Sequence, residues 1–345
     1  MANAPAAAAV VEALAADVRE QSRMEFRHSM IEMVTPVCAS LDEAGAHLLR
    51  HRRAVADAAR TVGVCLVAVG ATPVAEPEMT VTGNPRYKAI AEHYGRIVDD
   101  PAVCGCHVHV GVPDRELAVQ VGNHLRPWLP VLQALTVNSP VHAGTDTGHA
   151  SWRAMQLDRW PGLGPSPWLA SADDLDRTVA VAVASGIMLD ESLVLWHARP
   201  SAVYPTVEVR VADVCPTAAD ALLLTGLVRA LVATAIDDIA AGRFAPPITD
   251  HAVRAAHWNA AHQGLTDTLL DVRQERARPA WDLVADLAGT IGPALDRSGD
   301  RPVVEAGLAR LRAEGTGTDR QRRVLADVGD VASMLAAASR WTVDG

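Results

Sequence analysis

Lysine is nearly absent from this sequence: Lys88 is the only one among 345 residues, so arginine supplies almost all of the 31 basic side chains. Walker-A phosphate loops and Schiff-base enzymes each need a lysine in a particular sequence context. A single lysine makes both classes poor candidates. Any phosphate chemistry must therefore rely on arginine, metal ions and backbone amides.

Cysteine is scarce too, with five residues, an odd number, and no short disulfide-scaffold spacing. This pattern favours a reduced, cytoplasmic setting. The first 18 residues are rich in alanine but carry acidic side chains and lack the basic start of a signal peptide. No uncharged apolar run reaches the length of a membrane span. We therefore expect a cytoplasmic protein that does not bind membranes.

Acidic residues outnumber basic ones by 41 to 31, which gives a net charge of −10. Such a surface disfavours non-specific binding to nucleic acid or anionic membranes, although a site inside the protein can still be locally basic. Hydrophobic residues make up 49% of the chain, which is ample for a large core. We expect small-molecule partners and no nucleic acid.

The pattern of apolar residues predicts an α+β fold. Strands are expected at 24–34, 64–69, 104–112 and 206–214, and a long helix at 40–62 with Ser40 as N-cap and Glu43 completing a capping box. A loop rich in glycine, proline and tryptophan spans 141–167, and Asp173 caps the helix that follows it. From residue 217 onward the chain reads as mostly helical.

Two histidines on the predicted strand 104–112 are the first candidate functional residues. Because side chains alternate along a strand, His107 and His109 share one face, whereas Cys104 and Cys106 point to the other. This alternation argues against a zinc site built from all four. The pair is either a satisfied core feature or a ligand-facing one, and the cost of burying unpaired imidazoles favours the second.

The predicted strand 206–214 carries a carboxylate and a guanidinium on one face. Alternation places Thr206, Glu208, Arg210 and Ala212 together and puts the valines on the opposite face. Two interpretations stay open: a solvated edge strand, or a strand that offers a carboxylate to a hard cation and an arginine to a phosphate. Glu32, within an apolar run, is similarly either a paired buried carboxylate or a metal ligand.

Several motifs occur together in an order that resembles the type 2 glutamate–cysteine ligases, also called YbdK-like carboxylate–amine ligases. The resemblance runs from about residue 6 to the C-terminus. Its motifs are SMIEMVTPVC (29–38), RY (86–87), CHVHVGVPDREL (106–117), LRPWLPVL (125–132), NSP (138–140), DTGHASWR (146–153), YPTVEVRVADVCP (204–216), RPAWDL (278–283) and GTGTDRQR (315–322).

The resemblance implies a glutamine-synthetase-like antiparallel sheet curved around the active site, with helices packed outside and a helical C-terminal third. It implies one catalytic domain over residues 1–345 that uses ATP and Mg²⁺. An amino-acid-like carboxylate is phosphorylated, and an amine then attacks the acyl phosphate to give a γ-glutamyl-type amide. The implied site residues are Glu32, His107 and Glu208 as metal ligands, Arg210 and Arg153 as catalytic groups, and His109, Arg210 and Arg86 at the nucleotide.

The sequence departs from the family pattern at its N-terminus, where the family has a glutamate-rich, metal-binding strand. It also has His197 where the family usually has an acidic residue. One alternative is therefore a catalytically impaired or partner-dependent homologue that lacks part of the metal site. The sheet edge left by that strand predicts a homo-oligomer or a partner subunit.

A metal-dependent hydrolase built on His107 and His109 is a second alternative. Such sites usually need further histidine or lysine ligands downstream, and no lysine follows Lys88.

Each of the predicted strands at 24–34, 104–112 and 206–214 has one polar face. We expect these three faces to line one common ligase cavity.

Overall fold

Helices form most of the chain in residues 2–76 and 81–344, the part described by the computed structural model. The mostly helical character predicted after residue 217 is confirmed. The helices are α1 Ala7–Ala13, α2 Ala16–Arg19, α3 Leu41–Thr61, α4 Pro85–Tyr94, α5 Arg115–Leu125, α6 Leu129–Leu135, α7 Trp152–Leu157, α8 Ala172–Ala184, α9 Ala218–Ala240, α10 Asp250–Gln263, α11 Ala280–Ser298, α12 Arg301–Glu314, α13 Gly317–Val328 and α14 Val331–Val343.

The strands are short, and nearly all of them pair antiparallel. They are β1 Ser22–Met24, β2 Ile31–Met33, β3 Gly105–Gly111, β4 Val141–His142, β5 Thr145–Asp146, β6 Leu163–Gly164, β7 Leu195–Trp196, β8 Ala198–Pro200, β9 Thr206–Asp213, β10 Thr268–Asp271 and β11 Arg276–Pro279. The main sheet has the order β3-β9-β8, with β9 in the centre. The predicted α+β class, with an antiparallel sheet and helices outside it, is confirmed.

The central strand β9 joins the sheet to the helical core. Val207, Val209 and Val211 are almost fully buried in one apolar cluster with helices α5, α6, α9 and α11. Full burial of such a side chain contributes about 1.5–3 kcal/mol. Because the valines of β9 are buried in the core, the side chains on the opposite face of this strand point away from the core.

Helix α9 is long and apolar enough to cross a membrane by length and composition alone. Most of its apolar window is buried inside the protein, however, and the core helix of a soluble protein passes the same test. The helix also carries Asp220, which pairs with Arg310 and Arg320. This helix is weak evidence for a membrane span.

The predicted strand at 24–34 is wrong in detail, because the segment folds back on itself. Strands β1 and β2 form an antiparallel hairpin in which Arg23 lies opposite Glu32. Inside the connection, Met30 donates its backbone N–H to the carbonyl of Arg27, which closes a turn. The apolar residues of this segment are therefore divided between two short strands.

The predicted strand at 64–69 is also wrong, since this segment has no regular structure. Side chains take the place of a neighbouring strand: Thr342 accepts the N–H of Ala68 at 2.9 Å, and Asn138 donates to the Ala68 carbonyl at 2.9 Å. Backbone groups satisfied in this way need no ladder partner.

The start of α3 agrees with the prediction: Ser40 accepts the N–H of Glu43 at 3.2 Å. The Glu43 carboxylate reaches back to the N–H of Ala39, one residue before the expected one. Helix α8 is capped by Ser171 and not by Asp173. The predicted loop 141–167 contains α7 and three two-residue strands, so it is more ordered than its composition indicates.

A β-bulge in β9 changes which residues face the polar side. Cys106 pairs with Ala212 and Val108 with Val209, so β9 has one extra residue over this stretch. As a result Ala212 turns into the core, against the prediction from strict alternation. Asp213 takes its place opposite Gly105 on the polar side.

Buried Asp213 anchors the bulge to the loop before α7. It accepts hydrogen bonds from the N–H of Asn138 at 2.9 Å and from the hydroxyls of Ser139 and Ser151 at 2.7 and 2.9 Å. The guanidinium of Arg153 lies 3.6 Å from the same carboxylate. A buried charge needs partners of this kind.

Glycine at position 105 makes room for this network. A Cβ there would lie 2.4 Å from Nη2 of Arg153 and 3.1 Å from the carbonyl of Ala212. Gly111 lies on the same strand, and a Cβ there would meet nothing within 4 Å. Substitution of Gly111 is therefore a control for substitution of Gly105 on the same strand.

We expect Gly105→Ala to destabilise the protein by about 1–3 kcal/mol, the usual cost of overpacking. Gly111→Ala should change stability little or raise it by about 0.5 kcal/mol, because alanine restricts the unfolded chain more than glycine. Urea unfolding of both variants measures the difference. Equal stabilities would show that Arg153 does not need the space at Gly105.

Candidate active site

The polar face of the main sheet carries two rows of side chains across its three strands. Pairing puts His109 opposite Glu208, and Glu208 opposite Arg199. The backbone N–H of Arg210 donates to the carbonyl of His197 at 2.8 Å, which sets the second row. Directly opposed residues share a face. The rows are His109–Glu208–Arg199 and His107–Arg210–His197.

Glu208 is the centre of this face and is only 3% exposed. Arg199 donates to one carboxylate oxygen at 2.9 Å, and Arg210 donates to the other. Burial disfavours ionisation, but Arg210 and Arg199 outweigh it and hold the pKa of Glu208 below its ordinary value. Glu208 is therefore a buried carboxylate that stays charged.

His107 and His109 approach Glu208 from β3. Nδ1 of His107 and Nε2 of His109 each lie 3.7 Å from the same carboxylate oxygen. Burial, and then the charge of Arg210, lower the pKa of His107 well below its ordinary value. Burial likewise lowers the pKa of His109, whose Nδ1 pairs with the Thr206 hydroxyl at 2.9 Å. Both rings are neutral near pH 7, the state in which histidine binds metals.

The β1–β2 hairpin brings a second group of carboxylates to this face. One oxygen of Glu32 lies 4.0 Å from Nδ1 of His107. The structure therefore brings together the three predicted metal ligands Glu32, His107 and Glu208. Burial raises the pKa of Glu32 despite the attraction of Arg210.

Glu25 is a site residue that the sequence interpretation missed. Burial, followed by the charge of Glu32, raises the pKa of Glu25 to about 7, and the two carboxyl groups hydrogen-bond. Glu25 and Glu32 are seven positions apart, so in the single strand predicted from sequence their side chains would point to opposite faces. That prediction gave no reason to place them together. The signal in the sequence was a second acidic residue in the same apolar segment.

Arg153 lies beside β9, lines the cavity and is almost fully buried. It donates to the backbone carbonyls of Val211 and Arg210, each at 3.3 Å, besides its ion pair with Asp213. These contacts support the bulge from which the Arg210 side chain extends. The predicted contact of Arg153 with reactants stays a prediction.

Arg86 lies at another part of the same cavity. Its guanidinium binds Asp190 and the hydroxyl of Ser192. The next residue, Tyr87, donates to the carbonyl of Met24 at 3.3 Å, so the start of α4 borders the hairpin. Among the described residues, no contact joins Arg86 to the carboxylates of the site.

The cavity has a volume of about 2240 Å³ and is lined by both rows of the sheet and by the hairpin. A site for one drug-sized ligand is usually about 300–1,000 Å³. The space is therefore large enough for a nucleotide and further small molecules together.

The residues at the hairpin and sheet fit a hard divalent cation. Glu25, Glu32 and Glu208 offer oxygens, and neutral His107 offers a nitrogen. Two ligands about 2.1 Å from one ion lie about 3.0–4.2 Å apart, and the His107–carboxylate distances of 3.7 and 4.0 Å fall in this range. The charge of Glu32 is among the causes that raise the pKa of Glu25, so the two carboxyl groups lie near each other.

Another group of possible ligands, with all three atoms within 4.8 Å of one another, lies at the start of α3. It comprises Cys38, Glu43 and His47, of which Glu43 is exposed. Glu43 also caps the helix by accepting the N–H of Ala39 at 2.8 Å. The helix cap already accounts for the position of this carboxylate.

The model of the family described as "Glutamate-cysteine ligase family 2" matches residues 2–337. The chain belongs to glutamate–cysteine ligase family 2. The resemblance inferred from the motifs is thereby confirmed.

Relatives in this family are similar along almost their whole length. A protein of Salinispora arenicola named "Putative glutamate--cysteine ligase 2" is 59% identical over 97% of this chain and 90% of its own. A Mycobacterium sp. (strain KMS) protein named "Putative glutamate--cysteine ligase 2-2" is 44% identical over 95% of this chain and 91% of its own.

Solved structures show the same fold at low sequence identity. Glutamate–cysteine ligase from Francisella tularensis, in complex with AMP, has a TM-score of 0.68 at 13% identity, over 97% of this chain and 84% of that one. A bifunctional glutathione synthetase from Pasteurella multocida has a TM-score of 0.63 at 11% identity, over 94% of this chain and 48% of that one.

The raised pKa of Glu25 predicts a pH-dependent loss of stability in metal-free protein. Between the ordinary value of 4.5 and about 7, the unfolded chain releases a proton that the folded chain keeps. Stability therefore falls as pH rises through this interval. We expect Glu25→Gln to become more stable than the native chain by about 1–3 kcal/mol from pH 4.5 to 8.

Denaturant unfolding in EDTA at several pH values measures this difference. Glu20→Gln, at an exposed carboxylate in the same region, controls for the loss of one charge. A difference between Glu25→Gln and native protein that does not change with pH would contradict the raised pKa of Glu25.

Proposed function

We propose that the protein is an ATP-dependent carboxylate–amine ligase that forms a γ-glutamyl-type amide through an acyl phosphate. The observation that carries this proposal is the cluster of Glu32, His107, Glu208 and Arg210 on one face of a single cavity. The names of the relatives and the AMP bound to the Francisella enzyme agree with it.

The first step of the proposed reaction joins a carboxylate to the γ-phosphoryl group of ATP. A carboxylate oxygen forms the new P–O bond, and the bond to the β-phosphate breaks with its electron pair leaving on ADP. The catalytic task is to position two anions and to neutralise their charge. Arg210 and Arg199 supply two guanidinium groups at the centre of the site for this purpose.

Glu25, Glu32, His107 and Glu208 would hold Mg²⁺. When bound, such an ion neutralises phosphate oxygens and orients them. This set of three carboxylates and one neutral imidazole has one ligand, Glu25, more than the set predicted from sequence. A cation held there would neutralise part of the Glu208 charge, and the guanidinium of Arg210 can bind a phosphate through two parallel hydrogen bonds.

The remaining predicted residues take supporting roles in this proposal. His109 contacts nucleotide or substrate from the row of Glu208, and Arg86 approaches from the cavity border. Arg153 fixes the backbone of Arg210 and thereby positions its side chain. Lysine is not needed for any of these tasks, which agrees with the composition.

In the second step, an uncharged amine attacks the acyl carbon. A C–N bond forms, the C–O bond to phosphate breaks, and the proton lost by nitrogen leaves on the released hydrogen phosphate. Phosphorylation is needed because oxide is too poor a leaving group for direct amination of a carboxylate. The cavity has room for nucleotide, carboxylate and amine together.

The second candidate is a catalytically impaired or partner-dependent homologue. The engagement of Glu208 by two arginines, and of Glu25 by Glu32, favours it, because a cation has to displace these contacts. A homo-oligomer or partner subunit stays a prediction, as do the single-domain organisation, the cytoplasmic location and the absence of membrane and nucleic-acid partners. The β1–β2 hairpin pairs with no third strand among the described residues.

Incubation with ATP, Mg²⁺, glutamate and cysteine distinguishes the two candidates. The ligase predicts ADP and amide in equal amounts, measured by chromatography and mass spectrometry. The impaired homologue predicts neither product above background from the chain alone, together with weak Mg²⁺ binding by calorimetry. Appearance of the hydrolysis product of an added amide, without ATP, would instead support the hydrolase alternative.

We expect Arg210→Lys to lose roughly 10²-fold or more in turnover, because the bidentate guanidinium that stabilises a developing charge is lost. Steady-state ADP release coupled to amide formation measures the effect. Arg96→Lys, at an exposed surface arginine, is the matched control and should keep native turnover. Near-normal turnover of folded Arg210→Lys would remove Arg210 from the mechanism.

A further inference from the structure

A chain of hydrogen bonds ends at His197 and determines which of its nitrogens carries a proton. The chain begins at buried Gln133, whose Nε2 donates to the backbone carbonyl of His257 at 3.2 Å. This contact fixes the amide orientation, so Oε1 of Gln133 is the acceptor that lies 2.5 Å from Nδ1 of His257. Nδ1 of His257 therefore carries a hydrogen.

The tautomer of His257 in turn determines the tautomer of His197. Burial, and then His197 itself, lower the pKa of His257 well below its ordinary value, so its ring is neutral and Nε2 keeps a lone pair. Nδ1 of His197 lies 3.3 Å from that Nε2 and donates to it. The lone pair of His197 is consequently on its own Nε2.

No hydrogen bond reaches Nε2 of His197 from the part of the chain that the structure describes. The residue precedes β8 and pairs with Arg210 through the Arg210 N–H. Its ring lies in the same row as His107 and Arg210 and lines the cavity. An acceptor of fixed tautomer is thus available beside the proposed phosphate clamp.

The positive charges around His197 favour an uncharged ligand over a cationic one. Burial, then Arg153, Arg254 and Arg210, lower the pKa of His197 to about 3. The same positive surroundings disfavour an ammonium ion and favour the uncharged amine, which is the nucleophilic form. A neutral imidazole acceptor holds such an amine without competing for its proton.

Gln156 is a second polar group on the wall of the same cavity. It is only 4% exposed, and neither its Oε1 nor its Nε2 has a hydrogen-bond partner among the described residues. It lies one helical turn after Arg153 on α7 and lines the cavity. A buried amide without partners is costly, which points to a ligand that satisfies it.

We propose that His197 and Gln156 form the binding site for the amine substrate, with Nε2 of His197 accepting a hydrogen bond from the uncharged attacking amine. This assignment rests on the proposed ligase function and deepens it. His197 orients the nitrogen so that its lone pair faces the acyl carbon, and the proton lost on amide formation leaves on hydrogen phosphate. The substrate class is a primary amine with a further polar group for Gln156.

Two substitutions of His197 separate hydrogen bonding from folding. Glutamine can place an oxygen near the position of Nε2, whereas asparagine is too short to do so. We expect His197→Asn to raise the KM for cysteine, and for L-2-aminobutyrate, at least 10-fold, and His197→Gln to recover part of this loss.

The first half-reaction is followed separately, through exchange of ¹⁸O between the bridging and non-bridging positions of ATP with glutamate and no amine. This exchange should fall by no more than about threefold in His197→Asn. Native KM values in His197→Asn would overturn the proposal, and so would a parallel loss of exchange and amide formation. Absence of exchange in the native chain would instead contradict the proposed ligase function.

Gln156→Leu gives an independent result, because leucine fills the same space without unpaired polar atoms. We expect a higher melting temperature together with a several-fold higher KM for the amine. A higher melting temperature with native KM would show that the amide binds no substrate, and a lower melting temperature would show that it has a structural partner.

Nitrogen NMR of the full-length protein tests the tautomer without any turnover. Long-range ¹⁵N–¹H correlations should show His197 protonated on Nδ1 and not on Nε2, and the Nε2 resonance should move when L-2-aminobutyrate is added. Protonation on Nε2 would overturn the assignment.

Discussion

The buried carboxylate of Asp213 holds together the parts of the protein that form the site. It accepts hydrogen bonds from Asn138, Ser139 and Ser151 and pairs with Arg153. This anchor closes the bulge that lets Val211 and Ala212 both enter the core while Arg210 stays on the polar face. Without the bulge, strict alternation would send Asp213 into the apolar core.

Much of the sheet could be predicted from sequence, because alternation is a local property. Glu208, Arg210, His107 and His109 do share a cavity-facing surface, and the capping pattern at Ser40 does start α3. The bulge and the hairpin depend on contacts between distant segments, such as Asn138 with Asp213, which no local pattern reveals. Glu25 was missed for this reason, since its partner is near only after the chain reverses.

The site balances charge among its own residues. Two arginines donate to Glu208, whereas burial and the charge of Glu32 raise the pKa of Glu25. The motifs predicted Glu208, Arg210 and Glu32 as site residues but neither Arg199 nor Glu25, whose positions follow from the folded structure. A cation at Glu208 on the sheet competes with arginines, whereas a cation at Glu25 on the hairpin competes with protons. Cation binding at these two places therefore depends differently on pH and on salt.

Under the proposed acyl-phosphate chemistry, the use of arginine in place of lysine has a chemical consequence. These mixed anhydrides acylate amines readily, whereas a guanidinium stays protonated and is a poor nucleophile. The single lysine, Lys88, is exposed on α4 and is not among the residues that line the cavity. Under the proposed chemistry, an activated intermediate therefore meets no lysine amine of the enzyme, and self-modification does not compete with product formation.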